Sequence, residues 1–183
     1  LAVGQMMKKA MKGELDLMTP ALKIQEELMS IPDFGDEDDT DIFYEERKAL
    51  ENGKKAILLA AGAAAQKYMM ELENQQEVLM YLADMAIDLF TAESTLLRTE
   101  KLIQLKGEAA AELQVAMTKT YVCNAMERMH VAGKHAIMAF AEGDELRMML
   151  IGVKRFTKYP PFNTVKARQA IADKMIEANK YPF

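Results

Sequence analysis

Residues Glu127, Arg128, Met129 and His130 spell an E-x-x-H segment. Two such segments on neighbouring helices, with two further carboxylates, would hold a pair of iron ions inside a helical bundle. Here the second segment does not exist: the only other histidine, His135, has Ala132 three residues before it. His130 and His135 are five residues apart, about 140° around a helix, so they do not share a face. Both read as surface or boundary histidines, and no metal ligands are expected. Asp84 and Asp88 do share a face, and paired carboxylates can do acid–base work when burial raises one pKa. They flank Met85 and Leu89, however, which suits helix-edge positions with basic neighbours. Cys123 would be a nucleophile only with a base and an orienting partner beside it. Its neighbours Tyr121, Val122 and Ala125 look like core, so an inert thiol is expected. The chain has no glycine-rich phosphate loop and no G-x-S-x-G elbow. The expected catalytic, cofactor-binding and metal-binding residues of this chain are therefore none.

The composition supports that restraint. Half of the 183 residues are apolar and 28% are charged, a core-forming balance that suits one domain with a short appendage. A single Cys excludes an internal disulfide and a cysteine-based zinc site. The net charge of -5 argues against nucleic acid as a partner. No stretch approaches eighteen consecutive apolar residues, so no membrane span is expected. The opening Leu1 to Lys9 lacks the long apolar core and small-residue cleavage site of a secretory signal. It begins with Leu rather than Met, so a trimmed piece of a longer protein is expected. Sixteen methionines are the surplus.

The elements that must position these residues are helical. Prolines occur at 20, 32, 160, 161 and 182, leaving residues 33–159 free of them and rich in good helix formers. Thr19-Pro20 reads as a cap and first position of a short helix reaching Ser30, where Ile31-Pro32 stops it. The acidic stretch 33–41 reads as a loop. A long helix is expected from Thr40 or Asp41 to about Glu73, with a face of Ile57, Ala61, Ala64, Tyr68 and Leu72. A second covers Gln76 to Lys106. Its seam of Val78, Leu82, Met85, Leu89, Ala92 and Leu96 alternates spacings of four and three, as packed bundles do. Gly107 is a stop. A third runs from Glu108 to about Glu142, with a stripe of Leu113, Met117, Tyr121, Ala125, Met129, Ala132, Ala136 and Phe140, and Gly143 ends it. A fourth, Asp144 to Phe156, carries Leu146, Leu150 and Val153. After the Tyr159-Pro160-Pro161 turn, Asn163 or Thr164 caps a last helix to about Asn179. Helices of thirty residues are about 45 Å long and cannot hide an apolar face alone. Short connections make them antiparallel neighbours, so the fold expected is all-α: an up-down bundle of about four main helices plus shorter flanking ones. Residues 1–41 form the lead-in and 42–183 the bundle domain.

Charge and methionine suggest surfaces. The first 46 residues hold four lysines against twelve acidic groups, and residues 144–183 hold eight basic groups against four acidic. These are either solvated faces or docking surfaces. Met6-Met7, Met69-Met70, Met126, Met129 and Met148-Met149 could line an adaptable groove, although methionine at helical spacing is usually core. Some of it is expected to be exposed.

The run from Asn74 to Phe90, NQQEVLMYLADMAIDLF, resembles a helix in the extra C-terminal domain of very-long-chain-type acyl-CoA dehydrogenases, which carries L-A-D-x-A-I-D-L followed by an aromatic residue. The downstream order of long helix, short helix, proline turn and terminal Tyr181-Pro182-Phe183 is also similar. The likeness is good over 74–183 and looser over 40–73, and Leu1 to Met18 resembles the helix that follows the catalytic segment. The resemblance implies a parent enzyme that binds FAD and acyl-CoA in domains upstream. There a catalytic glutamate removes a proton while hydride passes to the flavin. No residue of this chain matches those catalytic or flavin-binding motifs. The implied role is structural, in a bacterial, cytoplasmic enzyme of fatty acid β-oxidation. The domain would pack on the catalytic domains of the same polypeptide in a homodimer, in the place a second dimer takes in tetrameric relatives. Membrane attachment, linked in a mitochondrial relative to a basic segment before the first long helix, is not carried over. The matching stretch here is acidic and anionic lipid would repel it. A free-standing adaptor bundle that binds a protein partner through its methionines stays open as the alternative.

Overall fold

The computed structural model describes residues 5, 8–10, 12–16, 18–29 and 41–180. Met6-Met7, the expected helix end at Ser30, the acidic stretch from 33 to 40 and the closing Tyr181-Pro182-Phe183 lie outside the described residues. Among the described residues the α-helices with defined ends are α1 (Met18–Met29), α2 (Tyr44–Tyr68), α3 (Gln76–Lys106), α4 (Glu112–Met138), α5 (Gly143–Phe156) and α6 (Thr164–Ala178). Two short 3-10 segments, Met69–Asn74 and Glu108–Ala111, join α2 to α3 and α3 to α4. No strand occurs among the described residues.

Cross-helix pairs fix the directions. Arg47 of α2 reaches Glu100 of α3, and Lys54 reaches Glu93 at 2.9 Å, so α2 and α3 run antiparallel. Asp88 pairs with Arg128, and Thr99 meets Thr118 at 2.8 Å, so α3 and α4 are antiparallel as well. His130 faces Thr157 at the end of α5, while Gly133 lies beside Val153. The four main helices therefore go up, down, up and down, as the sequence implies, and α1 and α6 lie on the outside of α2 and α4.

The amphipathic seam of α3 is buried as expected: Val78, Leu82, Met85, Leu89, Ala92 and Leu96 all face the core. The expected face of α2 is displaced. Ile57, Ala61 and Tyr68 are half-buried, while Ala49, Leu50, Gly53, Ala56, Leu59, Ala60, Gly62 and Ala63 lie deep with Ala64. The reason is that α2 is central and touches α1, α3, α4 and α5. A helix covered on several sides has no single stripe, and close approach on each side demands small residues. The first half of the α4 stripe is displaced too. Leu113, Met117 and Tyr121 are half-buried, and Val115, Thr118 and Val122 take the core; from Ala125 onward the expected stripe is buried. On α5, Val153 is buried as expected, whereas Leu146 and Leu150 are only half-buried. Met149, Gly152 and Phe156 go inward instead.

Four helix ends differ from the sequence expectation, one of them the start of α2, at Tyr44 rather than Thr40 or Asp41. The first long helix stops at Tyr68 rather than Glu73. Met69 turns into the left-handed region (φ 47°) and donates its amide to Ala65, and tighter winding then brings Leu72 into the core. The third starts at Glu112 and stops at Met138, because Phe140 and Ala141 turn inward and are buried. Gly143 does not end the third helix but opens α5, and Thr19-Pro20 lies inside α1, where the Asp16 side chain accepts the Thr19 amide at 3.0 Å. Two other signals act as read. Gly107 (φ 84°) stops α3, and the Asn163 side chain accepts the Lys166 amide at 2.9 Å to cap α6.

A buried carboxylate ties the start of α2 to the turn after α5. Glu46 is 1% exposed. It occupies the first turn of α2, where the helix dipole favours negative charge. The Tyr159 hydroxyl donates to its Oε1, and Lys119 Nζ stands 3.9 Å from Oε2, which has no hydrogen-bond partner. Beside it, Arg47 grips Asp41 at 2.7 Å, and that contact holds the Asp41 carboxyl below its ordinary value. The Asp41 side chain in turn accepts the Phe43 amide at 2.9 Å, fixing the entry to the helix. Burial first, and the bond to Glu46 second, push the Tyr159 phenol well above its ordinary pKa of 10.0.

Two outcomes are expected. A Cβ at Gly62 would sit 2.5 Å from the Ala21 Cβ, and neither atom can rotate away. Gly62→Ala gains about 1 kcal/mol of helix propensity but sets it against about 1–3 kcal/mol of overpacking. It should lower the melting temperature and free α1 to proteolysis. Gly152→Ala meets only the movable tips of Leu59 and Leu28, so it should lose less. Tyr159→Phe removes the donor to a buried carboxylate and should cost about 1–3 kcal/mol in urea unfolding at pH 7. Because the folded phenol titrates above its unfolded value, its contribution is complete below pH 10.0 and falls as pH rises beyond it. The variant should therefore lose the extra alkaline destabilisation that the parent chain shows; identical alkaline slopes would refute this.

Candidate functional site

Helix α3 carries a second apolar face. Met80, Ile87, Phe90, Leu97 and Leu105 are spaced seven, three, seven and eight residues apart and fall within a sector of about 100°. That sector lies opposite the buried seam. Ile87 is 62% exposed and Phe90 71%. The local sequence explains both faces: from Val78 to Leu97 apolar residues occur at seam positions and again half a turn away, where Ser94 is the polar exception.

Beside this face a groove of about 570 Å³ runs between α3 and α4, with Tyr81, Ile87 and Val131 among its walls. A fixed ion pair closes one edge. Arg128 Nε lies 3.0 Å from both Asp88 oxygens, and Nη2 lies 2.5 Å from one of them. The same guanidinium stacks 5.5 Å from the Tyr121 ring centre, so its position is set from two sides. Asp88 thus has the basic neighbour that its helix-edge position suggests. Asp84 lines the same groove but is exposed and shares no contact of this kind. The two aspartates do not act as a coupled carboxylate pair.

The remaining candidates are dispersed. His130 Nδ1 lies 3.1 Å from the Thr157 hydroxyl, which itself donates to the Val153 carbonyl at 2.7 Å. With its hydrogen so used, the hydroxyl accepts the Nδ1 proton. Burial, aided by Lys134 and Lys154, lowers the His130 pKa below its ordinary value. His135 is exposed and sits edge-on to Tyr81 with ring centres 5.4 Å apart. Glu127 is exposed. The E-x-x-H segment is therefore not gathered into a site, and among the described residues no three His, Cys, Asp or Glu side chains converge as metal ligands would. Cys123 is half-buried; burial raises its thiol pKa, and Glu127 adds to the shift. That favours the unreactive thiol.

The methionines divide. Met126, Met129 and Met149 are core, while Met69, Met70 and Met148 are exposed, so they do not form one groove. Other exposed apolar groups lie on α5 (Ile151) and α6 (Val165, Ile176). A shallow groove of about 790 Å³ at the far end of α3 is lined by Arg98, Lys101 and Lys106 together with Leu102 and Met117. Sequence reasoning missed two features. Glu46 had a signal, since it shares an apolar stripe with Ile42, Ala49, Leu50 and Gly53. The outward face of α3 was legible only as a surplus of apolar residues beyond one seam.

No helix among the described residues is long and apolar enough to cross a membrane. Residues 52–155 match the family model described as acyl-CoA dehydrogenase, C-terminal domain. The chain is 37% identical over 175 residues to a protein of Bacillus subtilis (strain 168) named "Probable acyl-CoA dehydrogenase"; the match takes in 96% of this chain and 29% of that protein. It is similar to the crystal structure of an acyl-CoA dehydrogenase complexed with FAD from Bacillus anthracis, with a TM-score of 0.88 and 36% identity over 99% of this chain and 30% of that one. The chain thus spans somewhat less than a third of the length of these relatives. With more than half of its residues inside the family match, the chain belongs to the acyl-CoA dehydrogenase family, as a C-terminal helical domain.

Proposed function

We propose that this chain is the non-catalytic C-terminal domain of a flavin-dependent acyl-CoA dehydrogenase of the bacterial cytoplasm, with residues 42–183 forming the domain and 1–41 the lead-in. The parent enzyme would oxidise acyl-CoA to 2-enoyl-CoA in fatty acid β-oxidation, passing hydride to FAD held in the remaining part of the polypeptide. This domain would pack on the catalytic domains and set the oligomeric state, a dimer. The observation that carries the reading is the match in length and fold to just under a third of relatives that are named acyl-CoA dehydrogenases, one of them solved with FAD. The side chains with chemical potential support it, because they are engaged in structure: Asp88 with Arg128, His130 with Thr157, and Glu46 with Tyr159.

The test compares the full-length enzyme with a version that lacks this domain. Native mass spectrometry should show a dimer for the former and a changed assembly for the latter, while the flavin absorbance of the truncated enzyme is retained. The 183-residue chain alone should show no flavin absorbance after incubation with FAD. One FAD bound per isolated chain, or an assembly state that ignores the deletion, would overturn the proposal.

A further inference from the structure

We infer that the outward face of α3 is the seat on which the catalytic part of the same polypeptide rests. The inference depends on the reading that this chain is one domain of a larger enzyme, and it names the surface involved. Within the run from Asn74 to Phe90, Val78, Leu82, Met85 and Leu89 serve the bundle core. Ile87 and Phe90 do not, and the described residues leave both of them exposed. From Met80 to Leu97 the exposed apolar face extends about 25 Å along one helix, interrupted only by Ser94, before Arg98 and Lys101 make it basic. Exposed apolar surface of such extent marks an interaction site, whereas single scattered residues do not. The exposed groups on α5 and α6 form smaller patches, Met148 with Ile151 and Val165 with Met175 and Ile176.

Three features make this face a firm support. It lies on a long helix anchored by its opposite seam. The adjoining groove adds Val131 from α4, so two helices contribute. The bidentate Asp88–Arg128 pair stands at its edge as a polar rim, the arrangement of an apolar centre bordered by satisfied polar groups. The occupant follows from length. The relatives extend over roughly three times this chain, so most of their mass folds elsewhere and has to meet the domain over a substantial area.

Hydroxyl-radical footprinting of the full-length enzyme, read by mass spectrometry, decides the matter. Met80, Ile87, Phe90, Leu97 and Val131 should be labelled several-fold more slowly than Val165 and Ile176 of α6 in the same molecule. The protection should persist when the enzyme is diluted to its dissociated state. Phe90→Glu should raise the labelling of Ile87 and Val131 while leaving the helical circular dichroism unchanged. If the α3 face is labelled freely while Met148 and Ile151 are protected, the domain packs through another face; this inference then fails and the proposed function stands. If no face is protected, the proposed function fails with it. Protection that vanishes on dilution would assign the face to a second copy and overturn the inference.

Discussion

A central helix with almost no side-chain bulk sets the terms for the whole bundle. Over Ala56 to Ala65, α2 reads AILLAAGAAA, and it is approached from four sides by α1, α3, α4 and α5. Close approach on every side is possible only because Gly53, Ala56, Ala60, Gly62, Ala63 and Ala64 keep the backbone near the surface of the helix. The bulk is supplied by the neighbours. A Cβ at Gly53 would meet the Leu89 and Met129 side chains, and one at Gly133 would meet Met85 and Val153. Small residues on one helix thus face long flexible ones on another. That pairing fills an irregular core without requiring one fixed shape.

The same arrangement explains what could be read from the residues and what could not. The α3 seam was legible because that helix packs on one side and its polar flanks betray the period. The burial of α2 was not, because a run that is apolar all round has no period to measure. The break at Tyr68 was also hidden. Nothing local demands it; the turn at Met69 serves the inward swing of Leu72, a tertiary requirement. Phe140 shows the converse. It fits the α4 stripe by spacing yet reaches the core from beyond the helix end, packed edge-on against Tyr68 with ring centres 5.7 Å apart. Candidate chemistry was legible chiefly by subtraction, from a second E-x-x-H that is missing. Glu46 shows the limit of that approach. It lies in a charged stretch, Glu45-Glu46-Arg47, that reads as solvated, and only its register with Ala49 and Leu50 points inward.

Helix α3 joins the interior to the exterior. Its threonines are satisfied within it: Thr91, Thr95 and Thr99 each donate a hydroxyl to the carbonyl four residues earlier, at 2.8, 2.7 and 3.1 Å. Thr99 then meets Thr118 of α4 in a buried pair. Such bonds remove the need for polar side chains to reach water, so both broad faces of the helix are left to apolar groups. One face closes the bundle and the other lies outside it. A helix with two apolar faces can close the bundle on one side and offer a surface to a neighbour on the other.

The division of the methionines bears on how the protein ages under oxidation. Met69 and Met70, exposed beside a helix end, can become sulfoxides with little lost, since their sulfurs already face water. Met126 and Met129 are fully enclosed and stand against Gly53, where an added polar oxygen would have neither room nor a partner. Oxidant arriving from solvent meets the expendable thioethers first. In this chain the surface sulfurs are the first that oxidant reaches, and the core ones become vulnerable only when the bundle opens.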